Sequence, residues 1–407
     1  MIDRDRLWRS HMEMAEIGAT PAGGVCRLAL SDEDKLSRDL FVEWARAAGC
    51  DIRVDGVGNI FARRQGQDAD AAPVMTGSHL DTQPLGGRFD GAYGVLAGLE
   101  VVRALNDSGQ QTRAPIDVVV WTDEEGCRFS SKTMGSMVFA GLITPEAVLA
   151  STDPDGRTFG DELRRIGYDG TAPMVGQPVR AYFETHIEQG PVLEEAGIPV
   201  GAVVGAQGQR GFMVTVTGEE GHAGTVPMDK RKDAFLGAAR MADAVNRVAF
   251  TFDPVPVVTV AHVRVRPNSR NTISGETVFA IDSRHPDAEV LPKLADAMIA
   301  ACRQVADDMG LGVDLRPTAV AEPVTFDPGC VDAIRRAAQA RGIAYKDVFS
   351  GAGHDACKLA AVAPSGMIFV PCEDGISHNE RENATPDDLA AGTQVLYDVV
   401  VEAADAP

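Results

Sequence analysis

No apolar run in this 407-residue chain approaches the length of a membrane span. The opening segment MIDRDRLWRSHMEMAEIG lacks the unbroken apolar stretch of a secretory signal and reads as an amphipathic helix. A cytoplasmic location with no membrane partner is expected. Cysteine is sparse and scattered: Cys26, Cys50, Cys127, Cys302, Cys330, Cys357 and Cys372 form no CxxC pair, which argues against a disulfide framework or a structural zinc knuckle. Positive charge is also short. With 38 Lys and Arg against 59 Asp and Glu, the net charge is −21, the wrong sign for binding nucleic acid or an anionic membrane.

What remains is a sequence of ordinary globular composition, 44% hydrophobic and 24% charged, long enough for two domains. No internal repeat or low-complexity segment stands out. APVMTGSHLDT and APIDVVVWTDEEG have short apolar cores and read as buried strands with polar ends. GAYGVLAGLEVVRALNDSG reads as the helix between them, stopped by Asn-Asp-Ser-Gly. Strand, loop, helix and strand make an α/β pattern, whose ligands are expected at the carboxyl ends of the strands. From about residue 208 the pattern changes. RGFMVTVTGEEGHAG, VPVVTVAHVRVRP and ETVFAIDSRHP read as strands, and DKRKDAFLGAARMADAVNRVAF and VLPKLADAMIAACRQVADDMG as helices. A module of four strands and two helices over 208–323 is expected as an insertion into a discontinuous α/β domain, 1–207 and 324–407.

Chemistry concentrates at the strand ends. In GSHLDTQPLGGRFDGAYG (77–94), His79, Asp81 and Asp90 lie close together among glycines, which would let the chain fold tightly around an ion; a surface turn with incidental polar residues is the competing reading. In HLD, extended alternation puts His79 and Asp81 on one side, so Asp81 can orient the imidazole or hold a neighbouring group. DEEG (123–126) follows a buried strand, and an extended backbone would send Glu124 and Glu125 to opposite sides, one as a metal ligand and one as a base. YFETHIEQG, GHAGTVPM, SGAGHDA and GISHNE place His186, His222, His354 and His378 in polar settings. For His222 and His354, a structural hydrogen bond in a turn is the competing reading. GAQGQRG has neither the spacing of a nucleotide loop nor a following phosphate-binding lysine, and TMGSM around Ser136 lacks the GxSxG elbow.

Together, GSHLDTQPLGGRFDGAYGVLAGLE, DEEGCRF, HIEQGPVLE, GHAGTVPM, NTISG followed by DSR, and SGAGHDA with GISHNE closely resemble the amidase/carbamoylase branch of the dinuclear-zinc aminoacylase and carboxypeptidase superfamily. They span nearly the whole chain and stand in that family's order. The resemblance implies a metallopeptidase-like catalytic domain with a mixed sheet, interrupted by a smaller α+β module that forms a homodimer and acts as a lid. It implies two divalent metal ions, zinc first, with manganese, cobalt or nickel as substitutes. Asp90 would bridge them, with His79 and His186 completing one ligand set and Glu125 and His378 the other. Glu124 would be the general base, Asp81 the partner of His79, and His222 a stabiliser of the oxyanion. Arg284 would clamp a substrate carboxylate, with Gln189, Asn271, His354 and the glycines at 351–353, Gly353 among them, lining the pocket. An ion pair of purely structural use is the competing reading of Arg284.

The activity implied is cleavage of N-carbamoyl-L-amino acids to amino acid, ammonia and carbon dioxide. Alternatives are a β-ureidopropionase, an allantoate amidohydrolase, an amidase for another N-acyl amino acid or, in a different class, a metal-binding protein without catalysis. Histidine at 186, where peptidase relatives usually carry an acid, argues against a dipeptidase. CRFSSKTMGS and DSRHP depart from the commonest family wording and leave substrate preference open.

Overall fold

The computed structural model describes residues 1–129 and 131–406. The chain divides into two compact units, Met1–Val204 with Thr325–Pro407, and Gly205–Val324. Among the described residues, the first is built on a mixed nine-stranded sheet. Its order runs Asp51–Val54, Ile60–Arg64, Ile116–Trp121, Val74–His79, Ala181–Ile187, Ser365–Val370, Val200–Ala206 and Val324–Thr325, with Tyr345–Ser350 also pairing with Val200–Ala206.

The middle four strands are parallel, and their register aligns their carboxyl ends: His79 faces Trp121 and His186 faces Phe369. These strands are buried along their whole length, which is why they read as nearly continuous apolar runs. Helix Ala92–Ser108 is buried on almost every side and packs on the strands carrying His79 and His186. Gly109, in the left-handed conformation, ends it. Helix Pro386–Asp405, capped by Thr385, covers the strands Ala181–Ile187 and Ser365–Val370. No helix is long and apolar enough to cross a membrane among the described residues, and all seven cysteines are free.

In the second unit, four antiparallel strands run in the order Gly312–Ala321, Gly208–Thr217, Glu276–His285 and Val257–Arg266. Helices Ala234–Ala249 and Val290–Met309 bury one face of this sheet through Met241, Val245, Leu294 and Met298 against Val214, Val216, Phe279 and Ile281. The strand read from RGFMVTVTGEEGHAG stops at Thr217. His222 lies beyond it, on a separate two-residue ribbon paired with Thr272–Ile273.

Two features yield stability predictions. Gly77 has φ +149°, and a Cβ there would overlap the carbonyl of Val119 in the adjacent strand. Gly141 has φ +69° but open space around it. Urea denaturation should show Gly77→Ala losing about 3 kcal/mol and Gly141→Ala only about 1 kcal/mol. The second feature is His11, buried between Phe89 and Tyr93 at ring separations of 5.5 and 5.9 Å, with neither ring nitrogen hydrogen-bonded. Burial, with the charge of Arg27, pushes its pKa from 6.5 down to about 3. Unfolded chains take up this proton as pH falls below about 6.5 while the folded chain refuses it, so the folded state loses about 2 kcal/mol by about pH 5. His11→Leu should move the acid-unfolding midpoint, followed by circular dichroism, to lower pH.

Candidate metal centre

The parallel strands deliver the site residues to one edge of the sheet. His79 ends its strand, His186 lies one residue before the end of the next, and Asp123–Glu125 follow the strand ending at Trp121. Asp90 arrives through the loop before helix Ala92–Ser108. At Gly91, φ is +65° and a Cβ would overlap the His79 ring, so only glycine lets this turn close on the imidazole.

Asp90 stands between the histidines. Its Oδ1 is 3.2 Å from His186 Nε2 and 3.9 Å from His79 Nε2, while its Oδ2 is 3.4 Å from His378 Nε2. Glu125 Oε2 is 3.7 Å from the same His378 nitrogen, and Glu124 Oε2 is 3.7 Å from His79 Nε2. Two trios therefore each bring three ligand atoms within 4.8 Å of one another, His79–Asp90–His186 and Asp90–Glu125–His378, with Asp90 in both.

Ring tautomers are set from behind. His79 Nδ1 lies 2.9 Å from the carbonyl of Asp81, and His186 Nδ1 lies 2.9 Å from that of Ile187. A carbonyl only accepts, so each Nδ1 carries a proton and each Nε2 is the ring atom turned to the centre, free to ligate an ion once it has no proton of its own. A third trio, Glu184–His186–His354, is also close. Its groups are already engaged: Glu184 accepts from Ser78 Oγ at 2.7 Å and Ala356 N–H at 2.8 Å, and His354 Nε2 meets Ser350 Oγ at 2.9 Å.

Asp81, Asp90, Glu124, Glu125, Glu184, Asp355 and Glu382 are all buried here, and no lysine or arginine ion pair to any of them is found among the described residues. Burial, reinforced by Asp355 and Glu125, holds the Glu124 carboxyl well above its ordinary range. Burial and Glu184 push Asp355 up to about 8. Asp90 goes the other way: burial is outweighed by the His186 hydrogen bond and the neighbouring histidines. His186 rises to about 9, its burial overcome by Asp90. Such a concentration of buried acid calls for cations. Glu125 Oε1 is buried without a hydrogen-bond partner, an acceptor left for an ion. Two mixed imidazole and carboxylate sets fit divalent metal, and zinc among those ions.

Some expected roles change in detail. Asp81 meets His79 Nδ1 through its main-chain carbonyl, while its carboxylate, 3.9 Å from the same nitrogen, accepts from the N–H groups of Glu124 at 3.3 Å and Glu125 at 3.1 Å. The two glutamates diverge because this bend, entered through Asp123 at φ +56°, turns the chain, and not through strand alternation. Gln189, at φ +58°, donates to Asp90 Oδ2 at 3.0 Å, so it touches the centre directly. His354 is buried against His186, ring to ring at 4.5 Å, while Gly353 is exposed with open space above it. In the second unit, His222 and Asn271 come together on one ribbon, where Ala223 N–H donates to the Asn271 carbonyl at 2.8 Å, and both are exposed. Arg284 pairs with Asp282 at 3.0 Å.

Sequence reasoning missed Glu184, Asp355, Ser377 and Glu382. Glu184 carried a usable signal, standing two residues before His186 on one strand. Asp355 opens the short helix Asp355–Leu359, and Ser377 and Glu382 lie in loops with no periodicity to betray them.

Comparison with known proteins agrees with this geometry. The model of peptidase family M20/M25/M40 matches residues 75–402. The N-carbamoyl-L-amino-acid amidohydrolase of Rhizobium meliloti is 45% identical over 99% of this chain and 97% of its own. The allantoate amidohydrolase of Escherichia coli K12 is 36% identical over 94% of each. The crystal structure of an amidase of the hydantoinase/carbamoylase family from Burkholderia multivorans superposes with a TM-score of 0.97 at 54% identity, covering 100% of this chain and 99% of that one. Motifs, fold and whole-length similarity lead to one assignment: the chain belongs to peptidase family M20/M25/M40.

Proposed function

We propose that this chain is a metal-dependent amidohydrolase that cleaves N-carbamoyl-L-amino acids to the amino acid, ammonia and carbon dioxide, working as a cytoplasmic homodimer. The observation that carries the reading is Asp90 shared between two ligand trios, in a chain whose full-length relative from Rhizobium meliloti bears the name of this activity. His79, His186 and Asp90 would hold one ion and Asp90, Glu125 and His378 the other. Two zinc ions suit these donors, with manganese, cobalt or nickel as substitutes. When bound, they would lower the pKa of water toward about 7 and polarise the carbonyl under attack.

The chain's own residues do the rest. Glu124 Oε2, beside His79 and shielded from solvent, takes the proton from the attacking water and returns it to the departing nitrogen. Asp81 holds the Glu124–Glu125 bend by two main-chain hydrogen bonds, so base and ligand keep fixed positions. Gln189 keeps Asp90 oriented and presents its carbonyl Oε1, buried and unpartnered, to a substrate N–H. The unit Gly205–Val324 is the dimerisation and lid module. On its ribbon, His222 would stabilise the oxyanion and Asn271 would bind substrate, a reading that the exposure of both side chains supports. Arg284 would exchange Asp282 for the substrate carboxylate, which a planar guanidinium grips in bidentate fashion. The Escherichia coli relative favours allantoate as the second substrate to test.

Ammonia release should be measured from a panel of N-carbamoyl-L-amino acids, N-carbamoyl-β-alanine and allantoate, with amine release followed from N-acyl amino acids. Chelator-sensitive turnover is expected on the carbamoyl-α-amino acids; release from allantoate or an N-acyl substrate alone would overturn the substrate and keep the chemistry. Glu124→Gln should lose about 10²- to 10⁴-fold in kcat while metal content, measured by mass spectrometry, stays that of the wild type. Full activity in a metal-loaded Glu124→Gln enzyme would remove Glu124 from the mechanism.

A further inference from the structure

We infer that Glu382 is a positioning residue that ties the two halves of the metal centre together. This rests on the dinuclear reading of Asp90. Glu382 is 1% exposed and makes no ion pair with lysine or arginine among the described residues. One of its oxygens, Oε1, accepts from the N–H groups of Phe89 at 2.9 Å and Asp90 at 3.1 Å. The other, Oε2, accepts from Ser377 Oγ at 2.8 Å. Ser377 precedes His378 and lies 3.3 Å from Asp90 Oδ2 and 3.3 Å from Gln189 Nε2.

One buried carboxylate thus clamps the main chain of the bridging residue and, through a serine, the loop bearing His378, across 292 residues of sequence. Gly87 leaves the space for it, because a Cβ there would overlap the Glu382 side chain. The main-chain bonds fix where Asp90 presents Oδ1 to His186 and Oδ2 to His378. Without them, Asp90 keeps its carboxylate but loses the orientation that lets both oxygens serve two ligand sets at once. Among the described residues Glu382 makes no hydrogen bond to His79 or His186, so its effect reaches the ions through Asp90 and the Ser377–His378 segment.

The test is divalent zinc retention by the full chain in chelator competition, with metal content counted by mass spectrometry, and thermal unfolding of the metal-free forms as a control. Glu382→Ala should weaken zinc binding by about 10- to 100-fold with little change in unfolding of the metal-free protein. Glu382→Gln keeps an oxygen for the two N–H groups and an amide that can donate to Ser377, so it should stay within about threefold of wild type. Ser377→Ala, which removes one arm, should fall between them and lose the second ion first. If Glu382→Ala does not fold, the Ser377→Ala and Glu382→Gln results decide. Wild-type retention in Glu382→Ala or Ser377→Ala, or a loss in Glu382→Gln as large as in Glu382→Ala, overturns the tether; so does a wild-type chain that takes up no zinc. A wild type that binds two ions but leaves every carbamoyl substrate intact overturns the proposed activity and leaves the tether standing.

Discussion

Everything at the sheet edge is arranged around one carboxylate. Asp90 places one oxygen toward His186 and the other toward His378, so two ligand sets meet in a single side chain. That geometry needs the loop before helix Ala92–Ser108 to fold back under the His79 ring, which Gly91 alone permits. A bridging carboxylate between like-charged ions is favourable because its charge screens each from the other. The same carboxylate without ions must draw its compensation from histidines, which is the source of the opposing displacements of Asp90 and His186.

Precision comes from the main chain more than from side-chain partners. Carbonyls of Asp81 and Ile187 choose the tautomers of His79 and His186, and backbone groups do not change protonation as the site loads or empties. Asp81 in turn uses its carboxylate on two N–H groups, fixing Glu124 and Glu125 as a pair. Asp123, Gln189 and His378 all sit at positive φ beside these contacts, at 56°, 58° and 52°. Left-handed backbone at three non-glycine residues around one centre is the strain expected where the fold over-determines a functional site.

Much of this was legible in the sequence because strands end predictably. An apolar run that stops at HLD or DEEG announces where its polar residues go, and the parallel order then brings those ends together. The loop residues were legible only by resemblance: no periodicity connects Asp90 with His378. Three things were not legible in either way. Asp81 meets His79 by its main chain, which side-chain alternation does not address. Glu124 and Glu125 diverge at a bend that depends on Asp123 entering the left-handed region. Glu382 holds Asp90, 292 positions before it, a contact created by tertiary packing alone.

The buried acids also tie the site to the stability of the fold. Buried carboxyl groups crowd this edge of the sheet, Asp123 among them, and burial alone raises the cost of ionising each. Some are satisfied by donors, as Glu184 is by Ser78 and Ala356. Others, such as Glu125 Oε1 and Asp355 Oδ2, have no hydrogen-bond partner. A cation that binds this arrangement and not the unfolded chain would stabilise the folded state by an amount that grows with its concentration relative to its dissociation constant. The fold holds these carboxylates away from solvent and close to one another, and a bound cation would relieve what the fold imposes.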